Sequence, residues 1–300
     1  MKAVLFRGSR QLSRKIREFA IEGCIKLSGL LVIIFVFLIF LLLLKDSLSL
    51  FGVYPLKDFL FGVKWLPVSE PPRFGMVPLL LGSIYVTVGA IIICVPLGVA
   101  TAMYIAEVAP SSIKHVLKSL VEILASIPSV VLGFIGIVWL GPFLKNTFNL
   151  STGMCGLTGS LLLAFMALPT IISICEDAIV GVPKSYKEAA FGLGATRWQT
   201  MWRIILPAAS SGIIAAIMLG IGRVIGETMV VMMVTGNSPI VPHSILQPMR
   251  TLTATIAGEM GETVSGSDHY FALFATGLIL FIITFIINLI ADMYLQRARK

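Results

Sequence analysis

The stretch Pro183-Lys-Ser-Tyr-Lys-Glu-Ala-Ala-Phe-Gly-Leu-Gly-Ala-Thr-Arg-Trp-Gln-Thr-Met-Trp-Arg-Ile-Ile-Leu-Pro207 is polar and basic, and long apolar runs lie on both sides of it. Its residues predict two short helices. Ser185 with Glu188 three residues on reads as a capping box, a hydroxyl and a carboxylate satisfying helix-start amides that would otherwise lack partners, and Thr196 with Gln199 repeats the device. Gly192 and Gly194 between the two permit a sharp turn. On the second helix Trp198, Met201, Trp202 and Ile205 recur at helical spacing, with Arg197, Thr200 and Arg203 on much of the other face. Such a segment has one side for the apolar body of its own chain and another for something in the cytosol. The plainer alternative is a basic surface helix lying among lipid headgroups.

Outward from this loop, charge-free runs extend over 27–44, 74–106, 123–144, 146–175, 204–222 continuing past Arg223 toward Val234, and 269–291. A helix crossing a hydrocarbon core needs about 20 residues. Even the run of 18 from Leu27 reaches ~27 Å at ~1.5 Å per residue. The chain is therefore expected to be all-α and to cross a membrane six times, with both ends on one side. With 57% hydrophobic and 13% charged residues, against roughly 25% charged in soluble domains, a soluble globule is excluded. A signal peptide is a poor account of the first run, which exceeds the usual apolar length and ends at Lys45-Asp46 with no small-residue cleavage site.

The net charge of +8 reads as topology, not as a nucleic-acid footprint. Segments on the loop's side hold 16 Lys and Arg, seven of them ahead of the first run (Lys2, Arg7, Arg10, Arg14, Lys15, Arg17, Lys26) and three after the last (Arg297, Arg299, Lys300), against 6 in the other connections. Basic residues stay in the cytoplasm, so both termini are expected there, in a bacterial-type inner membrane. Pro78, Pro96, Pro128 and Pro169 predict kinked or interrupted helices, which at membrane depth line protein or water. The long outer connections 45–73 and 236–268 are expected to receive something from outside. Cys24, Cys94, Cys155 and Cys175, and His115, His243 and His269, lack ligand spacing, so no metal site is expected.

Two polar groups stand out in the fifth run. Arg223 and Glu227 lie one turn apart on an expected continuous helix from Pro207 to Val234, on one face near mid-membrane. An ionisable group there costs about 2.5–3.5 kcal/mol and generally faces a bundle interior or an aqueous path. The pair reads either as an ion pair that fixes helix packing or as an anion site in which Arg223 offers bidentate donors and Glu227 is the internal counter-ion. Thr228, Ser126 and Ser129 are further pathway candidates, and Thr170 a weaker one, since intramembrane hydroxyls more often bond a backbone carbonyl.

The pattern Glu188-Ala189-Ala190, Gly194, Ile204 and Leu206-Pro207 resembles the EAA motif of permease subunits in binding-protein-dependent ABC importers at every fixed position. That resemblance implies that Glu188, Ala189, Ala190, Gly194, Arg197 and Trp198 belong to a coupling element seated in a groove of an ATPase. No lysine here follows a glycine, so the chain has no Walker A loop, and a separate chain would use the ATP and Mg. Leu120-Val-Glu122-Ile-Leu-Ala-Ser126-Ile-Pro128-Ser129-Val-Val-Leu-Gly133 and Gly222-Arg223-Val-Ile-Gly226-Glu227-Thr228-Met229 look like phosphate-specific transport (Pst) permeases, of the PstC type more than the sister PstA type.

The resemblance covers about Gly75 onward. It implies a type I ABC importer permease fold over 75–294 with the coupling loop at 183–207, preceded by a basic segment 1–26 and a first helix with its outer loop 27–74, and followed by a tail 295–300. It further implies phosphate as cargo, a PstA-type second permease, two copies of a PstB-type ATPase and a PstS-type phosphate-binding protein, with no bond chemistry and no cofactor in this chain. The competing expectations are another cargo on the same fold, such as molybdate or sulfate, and remotely an intramembrane serine protease. The protease would need a framed serine and a histidine in another span.

Overall fold

The computed structural model describes the backbone of residues 2–298 and the side chains of residues 18, 19 and 21–293. The basic side chains expected to anchor the ends (Lys2, Arg7, Arg10, Arg14, Lys15, Arg17, Arg297, Arg299 and Lys300) lie outside the described residues. The chain is helical almost throughout, because apolar segments without water must satisfy their amides internally. Helix α1 (Lys2–Phe51) continues past Lys45, and α2 (Leu56–Phe61) leads into a two-stranded ribbon, β1 (Trp65–Leu66) against β2 (Arg73–Phe74). Helix α3 (Val77–Met103) follows and ends in a π-helical turn, Tyr104–Val108.

The third crossing differs from the run in the sequence. Residues 111–126 form a separate amphipathic helix α4 (Ser111–Ser126), the chain breaks at Ile127-Pro128, and the crossing comprises α5 (Ser129–Ile135), a π turn Gly136–Leu140 and α6 (Gly141–Phe148). The cause is Pro128, which has no N–H to donate and disfavours helix at the residue before it; Ile127 is extended (ψ 124°). The fourth crossing, α7 (Gly156–Val180), begins ten residues later than the charge-free run because Asn149 turns left-handed (φ 51°) and closes α6.

Then come α8 (Lys184–Gly192), α9 (Arg197–Thr200), a π turn Met201–Ile205, α10 (Leu206–Ala208), α11 (Ser210–Gly226), α12 (Met229–Val234), α13 (Leu252–Glu259) and α14 (Asp268–Ala298). Among the described residues, five helices are long and apolar enough to cross a membrane. The count reaches six when α11 is taken together with the segment Arg197–Ala208, which is bent from it by 69°.

The crossings alternate between the end that carries the 183–207 loop, called here the motif end, and the opposite, hairpin end. The main core gathers α3, α7, α11 and α12 around Ala90, Cys94, Ala167, Ile171 and Ala216, all within 1% of complete burial. Small residues let these helices approach closely. A β-carbon at Gly98 would meet the Ile171 side chain at 2.7 Å, and one at Gly220 would meet the same residue at 2.7 Å. A second core at the hairpin end packs Leu50, Phe59, Trp65, Phe74 and Met76 against Leu252 and Leu273.

The connection 236–268 is more than an outer loop. Its helix α13 folds back into the bundle, with Leu252, Thr253, Ala254 and Thr255 all buried. Gly82 makes room for it, since a β-carbon there would sit 2.2 Å from the Arg250 carbonyl oxygen.

Candidate functional site

Two interruptions of helix carry the polar chemistry, and the first is the turn at the motif end. Helix α8 starts directly after Pro183, whose extended backbone (ψ 134°) occupies the capping position. Proline offers no side-chain acceptor, so Ser185 falls inside the first turn and the expected Ser185–Glu188 capping box does not form. The second box forms as expected. The Gln199 N–H donates to Thr196 Oγ1 at 3.2 Å, and the Thr196 N–H donates to Gln199 Oε1 at 2.9 Å. Gly194 supplies the left-handed residue (φ 82°) that reverses the chain, with the Ala195 N–H closing on the Ala190 carbonyl at 3.0 Å.

Of the expected coupling residues, Glu188, Ala189, Gly194, Arg197 and Trp198 are exposed and available to a partner, whereas Ala190 is buried. The inward stripe of the second helix also differs from the periodic reading. Thr200, Met201 and Ile205 are buried, while Trp198 and Trp202 are 64% and 50% exposed and stack edge to face at 5.5 Å. A π turn holds an extra residue per turn, so the one at Met201–Ile205 rotates the helix face and turns the tryptophan pair outward.

This turn is tied to the bundle by an ion pair from Lys187 Nζ to Glu107 Oε1, between α8 and the end of the second crossing. Nearby, Lys114 and Lys118 of α4 hold Glu176 of α7 at 3.2 and 2.8 Å. The hydrogen bond to Glu176 pushes the Lys118 ammonium above its ordinary value. Both carboxylates thus meet lysines from elements distant in sequence.

The second interruption lies between α11 and α12. Helix α11 ends at Gly226, Glu227 is extended (ψ 131°), and α12 restarts at Met229. Arg223 and Glu227 are therefore not neighbours on one helix face, and no ion pair joins them among the described residues. The reason is local. Gly226 weakens the helix, and the Glu227 carboxylate offers the backbone an alternative, accepting from the Met229 and Val230 N–H groups at 3.1 and 3.3 Å. A carboxylate there is a charged cap for the amides that open α12. The Glu227 carbonyl, freed from the helix, accepts from Thr253 Oγ1 at 2.9 Å. The re-entrant helix α13 thus completes the break, a role that nothing in its short apolar sequence announced.

Arg223 lies about midway between Ser210 and Val234, and its Nη1 donates to Thr170 Oγ1 at 3.0 Å. Thr170 follows Pro169 inside α7, where the missing amide loosens the helix. The guanidinium is exposed on this chain. The cost of a charge among lipid tails means that the exposed side faces a protein partner or water.

Below Thr170 a crevice of about 260 Å³ runs toward the motif end, lined by Ser173, Glu122, Lys118 and Glu176. Ser126 is exposed, and its hydroxyl donates to the Ile123 carbonyl at 2.7 Å, closing the last turn of α4. Ser129 opens α5 directly after the Pro128 break. Thr228 Oγ1 bonds the Gly226 carbonyl at 3.2 Å. Helix α12 packs on α5, where Met233 fills the space that a side chain at Gly133 would occupy. The helices that restart after the two breaks thus pack on each other, with Arg223 on the segment leading to one of them.

Comparison with known proteins agrees with this architecture. Residues 94–300 match the family described as binding-protein-dependent transport system inner membrane component. The chain is 41% identical over 249 residues to the probable ABC transporter permease protein YqgH of Bacillus subtilis, covering 83% of this chain and 80% of that one. It is 38% identical over 271 residues to the phosphate transport system permease protein PstC of Mesorhizobium japonicum, covering 84% and 81%.

Among solved structures, a bacterial alginate ABC transporter aligns with a TM-score of 0.64 at 17% identity, over 91% of this chain and 94% of that one. The MetNI methionine ABC transporter aligns with a TM-score of 0.57 at 20% identity, over 77% and 99%. At such identities these two share the fold alone, and it is the type I ABC importer permease fold. The helix order, the glycine turn at the motif end and the extent of these matches together place the chain in the family of binding-protein-dependent ABC transporter inner-membrane permeases.

Proposed function

We propose that this chain is the PstC-type permease of a phosphate importer, and that Arg223 is the point at which the anion is received inside the membrane. The observation that carries the reading is an exposed guanidinium midway along the fifth crossing, bonded among the described residues to one neutral hydroxyl and close to a helix break. A guanidinium held that way keeps donors free for a second ligand, and its fork matches phosphate oxygens. The named PstC relatives support the cargo.

In this reading the motif end is cytoplasmic, together with both termini, and the exposed coupling residues Glu188, Gly194, Arg197 and Trp198 meet a homodimeric PstB-type ATPase. That separate chain uses the ATP and Mg; this one binds no cofactor and breaks no bonds. A PstA-type permease encloses the other half of the pathway, facing Arg223, Ser126, Ser129 and Thr228. A PstS-type binding protein delivers phosphate at the hairpin end. Closure of the ATPase moves the coupling turn, and the Lys187–Glu107 and Lys118–Glu176 ties carry that movement to the second and fourth crossings as alternating access. Glu227 is a positioning residue that holds the break open and does not touch cargo.

The test is ATP-dependent uptake of labelled phosphate into proteoliposomes holding the four components, with molybdate and sulfate as competitors. Phosphate entry that resists both competitors is the expected result. Entry of a competitor in place of phosphate would overturn the cargo while leaving the architecture standing.

A further inference from the structure

The cations at the hairpin end, Lys45, Lys57, Lys64, Arg73, Lys145 and Arg250, are unevenly placed. Arg250 is held by Glu259. Lys57, Lys64 and Arg73, by contrast, are exposed and make no ion pair among the described residues, yet all three line one cleft of about 340 Å³, which Asp58 shares. Cations on this side run against the bias that keeps Lys and Arg in the cytoplasm. Gathering half of them round one cleft also costs mutual repulsion.

The cleft is built on a fixed floor. Trp65 pairs with Phe74 and Leu66 with Arg73, and the Gly75 N–H donates to the Lys64 carbonyl at 2.9 Å. Alternation along the ribbon sends Trp65 and Phe74 into the core, each 1% exposed, and turns Lys64, Leu66 and Arg73 outward. Trp65 Nε1 donates to Glu259 at 3.0 Å, and the Phe74 N–H donates to Tyr54 Oη at 3.3 Å. Gly62 and Gly75 touch backbone to backbone, since a β-carbon at Gly75 would lie 2.4 Å from the Gly62 carbonyl carbon. Beside the cleft, Phe61, Val63 and Val68 are 71%, 58% and 94% exposed. Exposed cations set among large exposed apolar side chains offer a protein partner both charge complementarity and contact area. A free ion would need buried donors, and these side chains stand in water, where screening weakens each of them singly.

We propose that the Lys57–Lys64–Arg73 cleft is the docking surface for a carboxylate-rich face of the extracytoplasmic binding protein. The inference rests on the importer reading and orientation given above. Cations of this kind steer the encounter and fix its register more than they add affinity.

The test titrates the PstS-type binding protein against the reconstituted importer in neutral phosphatidylcholine vesicles and reads stimulated ATPase activity at about 50 and 200 mM salt. The variant Lys57→Glu/Lys64→Glu/Arg73→Glu is expected to raise the half-stimulating concentration about tenfold or more. It should also flatten the salt dependence, leaving basal ATPase activity and the saturated rate unchanged. Lys57→Arg/Lys64→Arg should behave as the parent protein.

An unchanged half-stimulating concentration would overturn the proposal. So would an effect that appears only in anionic vesicles, which would assign the cleft to lipid headgroups, or one that tracks free phosphate at fixed binding protein. If binding protein stimulates the parent importer with the expected salt dependence while no phosphate enters, the cargo reading fails and the docking surface stands.

Discussion

The turn at 192–196 and the break at 227–228 both interrupt a helix with a glycine at or beside the end, and they are finished by opposite means. At the motif end the chain is exposed. There Gly194 takes the left-handed backbone and Thr196 with Gln199 satisfies the next helix start, so the turn is complete before any partner arrives. At the break within the bundle, amides and carbonyls freed from the helix find their partners in the protein itself. The Glu227 carboxylate caps α12, and Thr253, brought in by a helix from a distant part of the chain, takes the Glu227 carbonyl. An exposed interruption can be local, whereas one inside a membrane has to recruit tertiary structure. The first suits an element that moves as a unit, and the second suits a fixed gap beside a pathway.

The hardest test of that contrast removes the one group at the break that has donors to spare. Arg223→Gln is expected to lower phosphate uptake by about two orders of magnitude or more, the scale of lost charge-assisted hydrogen bonds to an anion. The four-component complex should still co-purify. Loss of assembly would instead make Arg223 a packing residue, and the break would then have no transport role.

A smaller loss is expected at the turn. A β-carbon at Gly194 would meet nothing within 4 Å, so any effect of substitution comes from its positive φ alone. Gly194→Val would strain the backbone by about 1–2 kcal/mol and lower ATP-coupled uptake roughly tenfold. Gly194→Asn, which tolerates that conformation, should retain most of it. Equal damage from both would mean that the partner ATPase, and not the backbone, reads this position.

The third variant pair separates a cap from a counter-ion. If Glu227 serves by accepting the Met229 and Val230 amides, Glu227→Gln keeps an acceptor and most of the uptake. Glu227→Ala leaves two amides unsatisfied and destabilises the break by about 1–2 kcal/mol. A counter-ion that exchanges with phosphate would be lost equally in both variants, so matching uptake in the two would reinstate that role.

Much of this was legible from residues alone because the signals are local. Charge-free runs gave the crossings, and Gly194 with Thr196 and Gln199 gave the turn. What escaped was set by contacts far apart in sequence. Thr170 and Arg223 are 53 residues apart, and Glu107 and Lys187 are 80 apart. The break at Glu227 was hidden because Arg223 and Glu227 stand at helical spacing in an otherwise apolar span, which reads as one continuous helix. Helix α13 was hidden because eight residues are too few to show a period. The Ser185 box was a false positive, since the right residues stood at the right spacing and the proline two residues earlier had already taken the capping position.

That false positive supplies the smallest and most local test of how the turn is finished. Thr196→Ala removes an acceptor that the Gln199 amide uses at 3.2 Å, and a lost capping threonine costs about 1 kcal/mol. Amide exchange at Gln199 should therefore quicken about fivefold, with phosphate uptake nearly unchanged. Ser185→Ala removes a hydroxyl inside a helical turn where alanine is the better helix former, so α8 should be as protected as before or slightly more. Were Ser185→Ala to loosen α8 as Thr196→Ala loosens α9, a hydroxyl would be supporting the first helix after all, and Pro183 could not be what starts it. The order of the two effects, more than their size, decides whether the turn is held at both of its edges by side chains or at one edge by a side chain and at the other by the fixed backbone of a proline.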